Sequence, residues 1–218
     1  MIGVVIAMDS EAQILLDCMQ IKNKSEISQK AVYIGTAFGK EIALIICGVG
    51  KVNAAIGTQI VIDKFGVEKL FNFGVAGGLN ASTDLCAVYQ IEKAVQFDFD
   101  LTQLNGTAMG TLDEYSENYL YFSTFDTEYQ TRALGTSDRF NDSPADYALL
   151  TEILHADIRD MEGGAILQTA VKAGLPVYCV KAISDVAGNG STTEQFLENR
   201  SRALQNLKEV LPEFFQAL

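Results

Sequence analysis

Three carboxylates each follow an apolar stretch of the sequence. Glu11 comes after the run at residues 2–8, Glu162 stands in the segment 160–165, and Asp185 follows the run at 177–184. In an open parallel sheet, ligands bind beyond the carboxyl ends of the strands, so acids far apart in sequence can meet in one pocket. Such a set can perform general acid–base chemistry, which favours an enzyme over a scaffold.

Each acid also has a purely structural interpretation. Glu11 and Glu162 would both suit the positive N-terminal end of a helix. Asp185 would suit a turn before the segment Gly188-Asn189-Gly190. It is the repetition of the pattern at three predicted strand ends that favours a shared pocket.

The composition indicates a folded globular protein with one domain spanning residues 1–218. Hydrophobic residues make up 48% of the chain and charged residues 20%, which is ordinary for such a domain. The net charge of −12, from 16 basic and 28 acidic residues, argues against nucleic acid and anionic membrane surfaces as partners. It leaves a small neutral or cationic substrate open. No apolar run approaches the ~20 residues that a transmembrane helix needs.

The cysteines and the histidine give no sign of a metal site or a disulfide framework. Cys18, Cys47, Cys86 and Cys179 form no close pairs and are predicted to be reduced, three of them buried. His155 has no His or Cys at metal-ligand spacing and is predicted to lie on the surface. Because the chain begins with an apolar run and no basic segment, residues 2–8 are predicted to be a strand rather than a signal peptide, and the cytoplasm is the expected location.

The apolar pattern predicts an α/β fold with a mixed, largely parallel central β-sheet flanked by helices. The segment 97–129 shows no helical period and is predicted to hold short strands and long loops. Strands are predicted at 2–8, 31–38, 41–47, 70–75, 131–136, just before Met161, and at 177–184. Helices are predicted after a cap at Asp9 or Ser10, and at 51–65, 144–154, 162–173 and 193–215.

The glycine-rich segment 48–51 does not fit a nucleotide-binding loop. A Walker loop would need glycine at 45 and Ser or Thr at 52, where this chain has Ile45 and Val52. A dinucleotide fingerprint would need glycine at 53, which is Asn53. The remaining interpretation is a tight turn between a strand and a helix, which would still suit a position near a ligand.

Two further features have both a structural and a functional interpretation. The segment Gly74-Val75-Ala76-Gly77-Gly78 follows a predicted buried strand and could be a tight turn or a close backbone approach to a ligand. Phe140 lies in a polar loop and could anchor that loop or stack on a base.

Taken together, the segments 48–55, 74–78, 160–165 and 182–187 resemble the nucleoside phosphorylase/nucleosidase superfamily. Within it the chain is most similar to the 5′-methylthioadenosine/S-adenosylhomocysteine nucleosidases. The resemblance extends to about residue 215 and is weakest from 101 to 136. It implies a three-layer α/β fold and a hydrolase that releases adenine without a metal or organic cofactor.

The resemblance also implies a role for each site residue. Glu162 would hold the ribose 2′ and 3′ hydroxyls, with Met161 lining the sugar. Asp185 would protonate adenine N7 and help to read the 6-amino group, and Glu11 would position and deprotonate the attacking water. The other substrate-binding residues that it implies are Phe140, which would stack on the purine, and Ala76, Gly77 and Ser184.

Two residues depart from the family pattern on the water-binding side of the sugar. Val75 stands where a serine is usual and Lys181 where an arginine is usual, and lysine lacks the planar fork of arginine. A related purine nucleosidase or phosphorylase with altered specificity therefore stays open, as does a nucleoside-binding protein with weak turnover. The resemblance further implies a homodimer in which the neighbouring subunit completes the 5′ subsite.

Overall fold

A computed structural model of the protein describes residues 1–79 and 82–218. Its strands, in chain order from β1 to β10, are Ile2–Ile6, Gln20–Ile27, Lys30–Ala37, Lys40–Ile46, Lys69–Gly78, Val88–Gln96, Leu120–Tyr121, Thr131–Thr136, Ile158–Asp160 and Val177–Val186. Its α-helices, from α1 to α6, are Asp9–Leu16, Lys51–Phe65, Thr102–Asn105, Pro144–Ala148, Gly163–Ala173 and Thr192–Ala217. A π-helical segment, Leu149–Ile153, continues α4.

The described strands form one mixed sheet in the order β10-β6-β8-β9-β5-β1-β4-β3-β2, and the short β7 pairs with β6 off this path. Its centre is parallel, because β4, β1, β5 and β10 run in the same direction. Strand β10 pairs with both β5 and β6, so β5, β10, β6, β8 and β9 close into a ring. This ring brings the ends of β5, β9 and β10 together although they are far apart in sequence.

Helices cover both faces of the sheet and produce three layers. Alternate residues of β1 point to opposite faces, as a strand requires: Val5 packs with α2 and α5, whereas Val4 and Ile6 pack with α1 and α6. On the second face, an edge contact joins Phe71 of β5 to Phe215 of α6, with ring centroids 5.3 Å apart. The predicted α/β fold with a mixed sheet flanked by helices is confirmed.

Several element boundaries also agree with the prediction. Helix α2 has the predicted bounds, and Gly66 ends it in the left-handed conformation at φ 59°. The strands predicted at 31–38 and 41–47 leave 39–40 as the turn of a hairpin; the hairpin exists, but its turn residues are Phe38 and Gly39, both at positive φ and one position earlier. Positive φ at both central residues is typical of the tight turns that match the twist of two paired strands.

Other elements differ from the prediction. Strands β2 and β6 were not predicted, because β2 is an exposed polar edge strand and β6 mixes polar with apolar residues. Helix α1 begins at Asp9, so the residue before it is Met8 and neither Asp9 nor Ser10 caps it. The segment 74–78 is not a turn but the last part of β5, and Asp185 lies inside β10 instead of beyond it.

The remaining predictions concern exposure. Cys47, Cys86 and Cys179 are buried with free thiols, Cys18 is exposed, and His155 is exposed after the π-helical segment, as predicted. Across residues 1–79 and 82–218, no helix combines the length and the apolar character needed to cross a membrane.

Candidate active site

A cavity of about 510 Å³ lies where β5, β9 and β10 meet, which is within the size range of sites for small molecules. Its wall contains nine of the ten residues that the sequence singled out. These are Glu11, Val75, Ala76, Gly77, Phe140, Met161, Glu162, Ser184 and Asp185. The tenth, Lys181, lies behind the wall and is 3% exposed. One cavity therefore brings together side chains from five separate parts of the chain.

Glu11 is held in the first turn of α1 by backbone donors on both oxygens. The Val75 N–H donates to Oε1 at 2.8 Å, and the Met8 N–H donates to Oε2 at 3.2 Å. Burial raises the pKa of Glu11, while nearby Lys181 and these two hydrogen bonds act in the opposite direction. A fixed carboxylate with a raised pKa suits a group that takes a proton from water near neutral pH.

The Glu11 position depends on Gly74. A Cβ on Gly74 would overlap Oε1 of Glu11 and would stand 2.9 Å from its Cδ. Glycine at this point of β5 thus allows the carboxylate to lie directly against the strand.

Glu162 precedes α5 and reaches across to the turn after β4. Its Oε1 accepts a hydrogen bond of 2.8 Å from the Gly50 N–H. Gly50 has φ 99°, a conformation that favours glycine, so the predicted tight turn at 48–51 is confirmed and reaches the cavity through Val49. Burial, together with repulsion from Asp160, raises the pKa of Glu162 to about 7.

Asp185 lines the cavity from β10, in a wall to which α6 also contributes. The Ser184 hydroxyl donates to its Oδ1 at 2.8 Å, whereas its Oδ2 is buried without a hydrogen-bond partner. Burial raises the pKa of Asp185, against the lowering effects of the Ser184 hydrogen bond and of Arg159. The register of β10 against β5 shifts between Ile183 and Asp185, and this irregularity accompanies the placement of the carboxyl group in the wall.

A buried ion pair supports the acids from behind. Lys181 Nζ lies 3.0 Å from Asp160 Oδ2, and the two side chains are only 3% and 2% exposed. Asp160 also accepts hydrogen bonds from the Thr136 hydroxyl at 2.6 Å and from the Gly163 N–H at 2.8 Å. Burial alone would lower the pKa of Lys181, but the surrounding acids, Asp160 above all, raise it. The site therefore contains a permanent positive charge among its carboxylates.

The rest of the wall is largely apolar. Phe140 is half exposed and contacts Phe196 of α6, with ring centroids 5.7 Å apart in an edge arrangement. Met161 lies beside Glu162, and Ala76 and Gly77 form part of the wall from β5. The cavity thus combines apolar side chains with several carboxylates, which suits a purine joined to a sugar.

Sequence reasoning missed several wall residues, among them Arg159, Asp160, Phe196 and Leu197. Asp160 and Arg159 stand immediately before Met161 and Glu162, so charge within a predicted short strand was an available signal. Phe196 and Leu197 belong to α6, and only the tertiary structure places them here. Within the described residues, no group of three or more His, Cys, Asp or Glu side chains is arranged to hold a metal ion.

The fold and the site together define a three-layer α/β protein with an acid-lined cavity at strand ends. A model of the phosphorylase superfamily matches residues 1–216, so the chain belongs to that family. The resemblance seen in the sequence is confirmed.

Relatives and solved structures narrow the class. A 5′-methylthioadenosine/S-adenosylhomocysteine nucleosidase from Marinomonas sp. (strain MWYL1) is 29% identical over 228 residues, covering 94% of this chain and 97% of the relative. A nucleosidase of the same name from Colwellia psychrerythraea 34H, solved with adenine, has a TM-score of 0.88 and 26% identity over 99% of this chain and 95% of its own. Futalosine hydrolase of Helicobacter pylori shares the fold with a TM-score of 0.91 and 22% identity, and the match covers 100% of this chain and 97% of the hydrolase. The prediction of an enzyme of the nucleosidase class is confirmed by such relatives.

Proposed function

We propose that this protein hydrolyses the N-glycosidic bond of 5′-methylthioadenosine, S-adenosylhomocysteine or both, and releases adenine. The observation that carries the proposal is the convergence of Glu11, Glu162 and Asp185 on one cavity. The sugar, the base and the attacking water each need one acid in this reaction, and the cavity wall supplies these three. The relatives described above support this choice of substrate.

Each acid has a distinct task in the proposed reaction. Glu11 accepts a proton from water, whose oxygen bonds to C1′ of the ribose as the bond from C1′ to N9 breaks. Asp185, kept protonated by its raised pKa, donates its proton to N7 and thereby neutralises the departing base. Glu162 holds the ribose hydroxyls and stabilises the positive charge that develops on the sugar ring.

The remaining residues position the substrate. Phe140 stacks on the purine, Met161 lines the sugar, and Ala76, Gly77 and Ser184 border the nucleoside. Val75 contributes its backbone N–H to Glu11, a contact that does not depend on the hydroxyl usual at this position. Lys181 forms an ion pair with Asp160 and lowers the pKa of Glu11 by its positive charge. Both effects need only the charge, so a lysine can supply them without the planar guanidinium of an arginine.

The proposal includes a homodimer in the cytoplasm. Val49 and Leu197 belong to the cavity wall yet are 47% and 62% exposed, which supports completion of the 5′ subsite by a neighbouring subunit. Light scattering on the purified protein should give the mass of two chains. The mass of a single chain would contradict the proposed homodimer.

The reaction is tested by incubating the protein with 5′-methylthioadenosine, with and without phosphate, and following free adenine. We expect release in both buffers. Release only with phosphate would identify a phosphorylase, and binding without release would identify a nucleoside-binding protein. The variant Asp185→Asn should lose at least about 10²–10⁴-fold in kcat while remaining folded. Asp63→Asn, an exposed carboxylate on α2, is the matched control and should keep full activity.

A further inference from the structure

Arg159 is a charged wall residue that the proposed mechanism does not use. Among the described residues that line the cavity, it is the only Lys or Arg. Its side chain is 12% exposed, and its Nη2 is buried without a hydrogen-bond partner. The Asp142 Oδ1 lies 4.0 Å from Nη2, beyond hydrogen-bonding distance, in a second pocket that Arg159 also lines.

The fold places Arg159 beside Asp185. Arg159 of β9 pairs with Gly77 of β5. A Cβ on Gly77 would stand 2.8 Å from Asp185 Oδ2 and 3.2 Å from Arg159 Nε, so the two side chains flank the same point of the wall. Asp185 Oδ2 is likewise buried without a hydrogen-bond partner. Buried polar atoms normally have partners, so an orphaned carboxyl oxygen beside the Arg159 guanidinium in the cavity wall indicates a ligand that pairs with both side chains.

The chemistry of the pair identifies the ligand edge. An arginine can only donate hydrogen bonds, and a protonated Asp185 also donates. A 6-oxopurine presents two acceptors, O6 and N7, on one edge, and arginine is the side chain most often found on that edge. Adenine presents N7 beside the N6 amino donor, which an arginine cannot accept. Two adjacent donors therefore match a 6-oxopurine better than adenine.

We propose that Arg159 determines base specificity and that this site also cleaves 6-oxopurine ribosides, releasing hypoxanthine. This inference rests on the role of Asp185 in the proposed function. Asp185 gives its proton to N7 as the bond from C1′ to N9 breaks, water adds to C1′, and the water proton goes to Glu11. Arg159 donates to O6, where negative charge of the departing base accumulates.

The test compares kcat/KM for 5′-methylthioinosine and 5′-methylthioadenosine in phosphate-free buffer. We expect the wild-type protein to release hypoxanthine from the first. Arg159→Met keeps an unbranched apolar side chain but removes the N–H donors of the guanidinium. In this variant the kcat/KM for 5′-methylthioinosine, divided by that for 5′-methylthioadenosine, should fall about tenfold or more. Arg159→Gln should shift the ratio towards the adenosine substrate, because a glutamine amide oxygen can accept a hydrogen bond from the N6 amino group of adenine. An unchanged ratio in both variants, or adenine release without hypoxanthine release by the wild type, would overturn the inference.

Failure of the proposed function can be told apart from failure of this inference. If neither nucleoside is cleaved, the binding of free hypoxanthine and free adenine is measured by calorimetry. A preference for hypoxanthine that disappears in Arg159→Met supports the role of Arg159 without turnover. Equal preference in the wild type and the variant would refute it. Should the methionine variant fail to fold, Arg159→Gln carries both measurements.

Discussion

Replacing Lys181 with methionine removes the buried cation that balances the acids of the site. The Nζ of Lys181 lies 3.0 Å from Asp160 Oδ2, and both side chains are almost completely buried. Removing one partner of such a pair leaves an uncompensated charge and typically costs ~3–5 kcal/mol in the free energy of unfolding. For a chain of this length, that corresponds to a fall of about 6–20 °C in the unfolding midpoint.

The same substitution should change the pH dependence of activity. Lys181 lowers the pKa of both Glu11 and Glu162, so its loss raises both. Because Glu11 must be ionised to accept a proton from water, the acid limb of the kcat/KM profile should move to higher pH. Lys181→Arg keeps the charge, so it should retain most of the stability, and the acid limb of its kcat/KM profile should stay at the wild-type pH.

Thermal unfolding and a pH–rate profile measure the two effects separately. The double variant Lys181→Met with Asp160→Asn removes both charges and should recover much of the lost stability, since no unpaired ion then remains. If Lys181→Met loses less than about 1 kcal/mol, or if Lys181→Arg is equally damaging, the ion pair does not hold the site together as described.

Three further substitutions test other contacts. Gly74→Ala forces the Glu11 carboxylate to move, so kcat should fall about 10²-fold with the fold retained. The control is Gly66→Ala, where no atom stands near the added Cβ but φ is positive; this variant should lose stability and keep its activity. Burial raises the pKa of Glu162 to about 7 in the folded chain, above its ordinary value of 4.5, so the folded chain binds the extra proton between these values and the free energy of unfolding falls as pH rises from 4.5 to 7. Denaturant titrations should show this slope in the wild type and a shallower slope in Glu162→Gln, where the raised pKa values of Glu11 and Asp185 still contribute. Phe140→Ala should raise KM for 5′-methylthioadenosine about tenfold with little change in kcat, and an unchanged KM would remove its stacking role.

The site acids could be found from the sequence because their signal is local. An apolar run followed by a carboxylate marks a strand end, and the closed ring of strands brings several such ends together. The helix at Lys51–Phe65 could also be predicted from the sequence, because the helical spacing of its apolar residues ends where Gly66 provides a stop signal. These features depend on neighbouring residues only.

The remaining features depend on contacts between distant residues. Nothing near Lys181 in the sequence shows that its side chain pairs with Asp160 without lining the cavity itself. The place of Arg159 beside Asp185 depends on the pairing of β9 with β5, and Gly77 permits it by lacking a Cβ. Strand β2 carries no apolar alternation, because as an exposed edge strand it buries almost nothing.

The central claim is that Glu11 directs water to C1′ of a purine riboside. Turnover of 5′-methylthioadenosine in H₂¹⁸O containing phosphate, followed by mass spectrometry of the sugar product, tests it most directly. We predict free adenine and a 5-methylthioribose that carries one heavy oxygen at C1, with the reaction nearly lost in Glu11→Gln. A sugar 1-phosphate without the label, or full activity in Glu11→Gln, would contradict the account.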